Sequence, residues 1–271
     1  MKVATASSNL KKFKSYKDIP ESSVFYKFVS FVRKEMNCNF LSKKIKQWFN
    51  ENSGKVEQDF SFRFRGKESA WYLKSFPELI KMMLDYVHEN SSQFRLYQIF
   101  YQSLRLRKII SFAVRIEDFS NANLQEMKIE CKNLFKAICY FEQRITHSRW
   151  ALCHAAPFHA SITLNDYGYG LGCNTMEGRE QKHQKIAKYS ENTTYHNRWP
   201  LIFRHEFIQL VYLRENGYDT VKYRKRHNTY LPNCSSFDSC SECGLKKTET
   251  YCELCSSIPA AKVRDLLQNL K

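Results

Sequence analysis

The chain has 271 residues, 43% of them apolar and 15% aromatic, with 43 Lys and Arg against 27 Asp and Glu for a formal charge of +16. This apolar content excludes a wholly disordered chain and allows a sizeable core, while the charge points to a polyanionic partner, most simply nucleic acid. No run of about 18 apolar residues occurs, which excludes a transmembrane helix, and the opening MKVATASSNLKKFKSYKD has no apolar core of signal-peptide length. The ten cysteines are therefore expected as thiols or metal ligands in a reducing compartment rather than as disulfides.

Residues 1–20 read as a basic leader and residues 21–145 as a helical region. Val24, Phe25, Phe28, Val29, Phe31 and Val32, followed by Phe40, Leu41, Ile45, Trp48 and Phe49, give helical spacing over 22–50. Phe60, Phe62 and Phe64 alternate with Ser61, Arg63 and Arg65, predicting a short strand or an extended aromatic–basic segment. Residues 68–89 read as a helix that Pro77 breaks or kinks. Residues 92–117 form another, with a basic cluster at Arg105, Arg107 and Lys108. Asp118-Phe119-Ser120-Asn121 supplies cap chemistry for a third, in which Leu124, Met127, Cys131, Leu134, Phe135 and Ile138 share a face.

The character changes over 146–217. Gly168, Gly170 and Gly172 alternate in a stretch that lacks the GxGxxG pattern and reads as a tight turn. Asn174 and Glu177 have capping-box spacing for a helix over 174–189. A strongly apolar helix over 199–213 should end at Asn216-Gly217. Residues 218–233 are a basic connector, in which Lys222, Arg224, Lys225 and Arg226 surround Tyr223 as a phosphate-contacting arm or nuclear-import signal. The alternative is a solvated linker.

Residues 234–271 hold the strongest motif. Cys240-x2-Cys243-x8-Cys252-x2-Cys255 presents four thiolates in two knuckles, a spacing suited to tetrahedral zinc, with Gly244 easing the first turn. Cys234 is a spare or alternate ligand, and residues 259–270 close the chain with a short helix. The expected fold is mainly α, a helical array with a small C-terminal four-cysteine zinc module.

A second set of residues carries different chemistry. His154 and His159, five apart, can both ligate a metal, although Pro157 between them argues against one regular helix bearing both. Glu177 and Glu180 follow on nearly one helix face, among Arg179, Lys182, Lys185 and Lys188, whose charge suits a phosphate backbone. The histidine pair, the glycine turn and the Glu-Gly-x-Glu segment together resemble the C-terminal part of an RNase-H-like DDE transposase core. The nearest family is that of the Transib transposases and the V(D)J recombinase catalytic subunit, and the likeness covers about residues 145–215.

The resemblance implies that Glu180 occupies the third catalytic carboxylate position and Glu177 a neighbouring acidic one. It also implies that His154 and His159 hold a second zinc, and that Mg²⁺ or Mn²⁺ is bound if catalysis survives. The family's zinc is shared with a C-x2-C pair that has no upstream counterpart here; Cys139 and Cys153 are the nearest thiols. The family's two catalytic Asp sit on strands, whereas Asp18, Asp59, Asp85 and Asp118 fall in loops or helices. The reading is thus a nuclear, zinc-binding, DNA-binding fragment or domesticated remnant of such a transposase, not catalytic alone, with 21–145 matching the family's helical insertion. Two alternatives stand beside it: an active recombinase component completed by a homodimer or partner transposase chain, and a zinc-stabilised protein-interaction adaptor. No membrane partner is expected.

Overall fold

A computed structural model describes residues 10–53, 66–87, 89–142, 144–174, 184, 186–191, 196–215, 238–247 and 251–269. The apolar block over 22–50 folds as two helices, α1 (Val24–Lys34) and α2 (Asn39–Asn52). The turn between them passes through Asn37 at φ 49°, a left-handed conformation that Asn tolerates better than most residues. Helix α3 (Gly66–Leu84) runs through Pro77 instead of ending there. An interior proline costs about 3 kcal/mol, and here its ring is fully buried, so packing offsets the lost backbone hydrogen bond. The alternating phenylalanines at 60–64 lie outside the described residues.

Helix α4 (Asn90–Ala113) is the spine of the structure. Helix α5 (Asn121–Phe141) follows it, and Ser120 starts α5 by a reciprocal cap: its hydroxyl accepts from the Asn123 N–H while Asn123 Oδ1 accepts from the Ser120 N–H. The N-terminal half of α4 gives Leu96, Tyr97, Phe100 and Leu104 to a first core shared with α1, α2, α3 and the C-terminal helix α9 (Ile258–Gln268). Its C-terminal half gives Ile109 and Phe112 to a second core with Leu124, Met127, Cys131, Leu134 and Ile138 of α5.

The segment after α5 is helical, but no single regular helix carries both His154 and His159. Helix α6 (His147–Trp150), a π-turn (Ala151–Ala155) and α7 (Ala156–Tyr167) form one run. Pro157 lacks an N–H and cannot sit inside a regular ladder. The wider π-turn takes up the misfit just before it, with the Ala156 N–H donating to Ala151 O five residues back. The glycine turn is explained by its neighbours. Gly168, at φ +73°, ends α7, and its N–H donates to Leu164 O at 2.9 Å. The Gly170 and Gly172 N–H groups then donate to Ile116 O at 2.7 Å and Arg115 O at 2.9 Å. Backbone does make a close approach here, to the α4–α5 loop.

The apolar stretch over 199–213 folds as helix α8 (Arg198–Glu215), with most of its large apolar side chains at the surface. Ile202 and Glu206 are buried, while Trp199, Leu201, Phe203, Phe207, Ile208 and Tyr212 are exposed. Residues 184 and 186–191 are also helical. Among the described residues there is no strand, and Ser239 and Lys246 pair in an isolated antiparallel bridge. Among them, too, no helix is long and apolar enough to cross a membrane.

The glycine turn gives a direct test. A β-carbon on Gly170 would lie 2.5 Å from Arg115 O, and one on Gly172 2.5 Å from Val114 O, whereas Gly168 has no atom within 4 Å. Urea unfolding should therefore show Gly170→Ala and Gly172→Ala each losing on the order of 1–3 kcal/mol through overpacking. Gly168→Asn should stay near wild type, because Asn accepts the left-handed cap.

Candidate metal centre

Two short knuckles build the centre. In the first, the Cys240 N–H donates to Leu245 O at 2.8 Å and the Gly244 N–H to Cys240 O at 2.9 Å. Gly244 makes that turn at φ +86°, where a β-carbon is disfavoured. In the second, the Ser256 N–H donates to Cys252 O at 2.9 Å, and Ser257 then caps α9 through the Ala260 N–H. The chain passes from the last candidate ligand to the helix with two residues, Ser256 and Ser257, between Cys255 and Ile258.

The four sulfurs of Cys240, Cys243, Cys252 and Cys255 lie within 4.8 Å of one another. Cys240 and Cys255 are 3.8 Å apart, and Cys243 and Cys252 3.5 Å. A tetrahedron with metal–sulfur bonds of about 2.3 Å has edges of about 3.8 Å, so the cage fits one zinc-sized ion. Cys240, Cys243 and Cys252 are buried and Cys255 half-buried. Four soft sulfur donors with no carboxylate among them are consistent with zinc. The thiols already share protons: a hydrogen bond from Cys255 holds Cys243 down to about 6, while burial pushes Cys252 up to about 11. That same hydrogen bond to Cys243 raises Cys255. An incoming cation displaces the remaining protons, so binding weakens as pH falls.

What locks this loop to the helices is Arg107. Its side chain is 2% exposed, yet it is a guanidinium. It donates to Glu242 O at 2.7 Å and Cys243 O at 3.3 Å, and its Cζ lies 4.9 Å from the centre of the Phe76 ring. The neighbouring cations are also turned inward. Arg105 grips the buried Glu130 with both contacts at 2.9 Å, and Lys108 reaches Glu130 at 3.3 Å and Glu242 at 3.8 Å. The basic cluster of the sequence is thus an internal brace between α4, α5 and the first knuckle. Its signal was legible as register: Leu96, Phe100, Leu104, Arg107 and Ser111 fall on one buried stripe of α4. Beside the centre, a cleft of about 150 Å³ opens between α4 and α9, with Cys255, Arg105 and Arg264 on its wall.

The second predicted set is only partly described. Glu177, Arg179, Glu180, Lys182 and Lys185 lie outside the described residues, as do Lys222, Arg224, Lys225, Arg226 and Cys234. Lys188 is exposed on its helical stretch. His154 sits in the π-turn with its ring 4.5 Å from Phe135 and 5.5 Å from Trp150. His159, on α7, lies against Phe158 at 5.6 Å. Among the described residues, the four cysteines form the single group of three or more candidate ligands, so no third ligand joins the histidines there. Cys153 is buried in the second core and Cys139 is exposed. No family profile, curated protein or solved structure matches the chain.

Two tests follow from this geometry. Arg107→Met leaves the Glu242 and Cys243 carbonyls without their charged donor and should cost about 1.5–3 kcal/mol. Arg107→Lys should recover only part of this, because an ammonium cannot present a planar fork to both carbonyls; chemical denaturation of the metal-loaded protein measures both. Thiol reactivity supplies the second test. Burial pushes Cys131 up to about 12 and Cys153 up to about 11, and Cys38 is also buried. Timed alkylation read by mass spectrometry should therefore label exposed Cys139 and Cys173 first among the described cysteines. A chelator should then open the four ligand cysteines to the reagent.

Proposed function

We propose that the chain is a zinc-stabilised, DNA-binding protein with a structural metal centre. The observation that carries this reading is the four-sulfur cage, closed on all sides by protein ligands and tied to α4 by Arg107. Cys240, Cys243, Cys252 and Cys255 would hold Zn²⁺, which contributes folding energy and leaves no open coordination position for catalysis. The formal charge of +16 supports a nucleic-acid partner, since cations that replace condensed counterions on a phosphate backbone drive such binding. The basic run Lys222–His227 supports a nuclear location.

Descent from the C-terminal part of a DDE transposase remains part of this proposal, supported by the spacing of His154, His159, Glu177 and Glu180. An RNase-H core needs a sheet to carry its Asp pair, and no strand occurs among the described residues. The reading therefore does not require catalysis. The competing one, an enzyme completed by another chain, turns on Glu180.

The experiment combines three readouts. Elemental analysis should return one zinc per chain, lost in Cys243→Ser. Fluorescence anisotropy with duplex DNA should show affinity falling steeply with salt, with a slope of about −0.9 per phosphate contacted. A Mn²⁺-dependent nicking assay on the zinc-loaded protein should show no cleavage. Nicking abolished by Glu180→Gln would favour the enzyme instead, and salt-independent, weak DNA binding would favour a protein-interaction adaptor.

A further inference from the structure

The outer face of α5 carries a feature that the metal centre does not use. Lys128, Lys132 and Lys136 recur every fourth residue, so they stack along one side of the helix at a rise of about 6 Å per step. Lys128 and Lys132 are exposed and Lys136 half-buried. Tyr140, the next position of the series, is 48% exposed. Phe135 lies three residues from Lys132 and adjoins this ladder on its flank. From Phe135 the rings continue outward: His154 meets it edge-on at 4.5 Å, and Trp150 lies against His154 at 5.5 Å with 31° between the planes. Trp150 is 53% exposed, and Phe158, four residues beyond His154, is 62% exposed. Acidic groups are sparse: Glu126 is exposed on α5, and Glu142 is engaged by Arg149 at 3.6 Å.

A line of cations beside open aromatic rings discriminates among partners. Duplex DNA offers phosphates to the lysines but keeps its bases stacked within the helix. A single strand offers both phosphates and free base faces, and any base can stack on an exposed ring. A protein interface would instead deplete lysine around its aromatic residues. We propose that the lysine ladder of α5 and the Phe135–His154–Trp150 ring cluster bind single-stranded nucleic acid, with phosphates on the lysines and bases on Trp150. This rests on the nucleic-acid reading above and assigns it a strand form and a surface.

The test uses the full zinc-loaded chain with an oligothymidylate and an oligouridylate of about 20 nucleotides and a blunt duplex of equal length. The single strands should bind at least about 10-fold tighter than the duplex and quench tryptophan emission. Trp150→Ala should remove the quenching and weaken single-strand binding about 10-fold or more, leaving duplex affinity within about 2-fold. Trp150→Phe, which keeps an aromatic face, should recover most of the affinity without the quenching. The double variant Lys128→Ala/Lys132→Ala should weaken all ligands and reduce the magnitude of the single-strand salt slope by about 1.4. The two oligonucleotide arms distinguish DNA from RNA as the strand. Duplex binding equal to or tighter than single-strand binding, or single-strand binding unchanged in Trp150→Ala, overturns this inference while the nucleic-acid reading stands. Binding of no ligand at low salt overturns both. Circular dichroism melts of each variant confirm that it is folded.

Discussion

The structure turns on one buried cation. Arg107 lies between the two cores, in the stripe of α4 that would otherwise be wholly apolar or small. A guanidinium removed from water is costly unless its hydrogen bonds are made. Here the carbonyls of Glu242 and Cys243 accept from it, and the face of Phe76 covers it. The partners come from a segment well over a hundred residues later in the chain. Making these two hydrogen bonds from Arg107 and placing the first knuckle are therefore the same event, and a knuckle docked elsewhere would leave both donors without their carbonyls.

The other constraints build outward from this one. A four-thiolate centre around a divalent ion carries net negative charge, and the Arg107 guanidinium is held against its first knuckle. The second knuckle runs into α9, whose Ala260, Val263 and Leu267 complete the first core beside Leu96 and Tyr97. Guanidinium and apolar packing thus cooperate to close the C-terminal segment, and a metal held by the four sulfurs would add to them. Arg105, Lys108 and Glu130 do the equivalent work between α4 and α5, where breaking a buried ion pair exposes the remaining charge to an apolar surround. The exposed pair Lys81–Glu253, at 3.2 Å between α3 and the second knuckle, adds little beside these because water screens it.

Basic residues are consequently divided by role. Arg105, Arg107 and Lys108 of α4 point inward and hold the fold together. Those on α5 point outward, beside rings that the second core does not cover. Net charge alone could not separate the two groups. The exposed aromatic residues of α8 show the same limit in apolar form, since a strongly apolar helix is here turned largely to the surface.

The helices were legible in the sequence because apolar period and cap residues act over a few neighbours, as at Ser120 and along Leu124–Ile138. The tetracysteine centre was legible because two C-x2-C knuckles, eight residues apart, constrain where four sulfurs can go. The continuous helical run through His154 and Pro157 was not, since a π-turn depends on how backbone adjusts in place. Nor was the purpose of Gly170 and Gly172, which answers to carbonyls of the α4–α5 loop. By itself, the sequence determined an α-helical chain, its charge and its four candidate metal ligands, all properties of local spacing and composition. Only the tertiary structure decided which carbonyls Arg107 donates to, that Glu130 is its neighbours' counterion, and that lysines and rings meet on one face. Each of these depends on contacts between residues far apart along the chain, which no local pattern encodes.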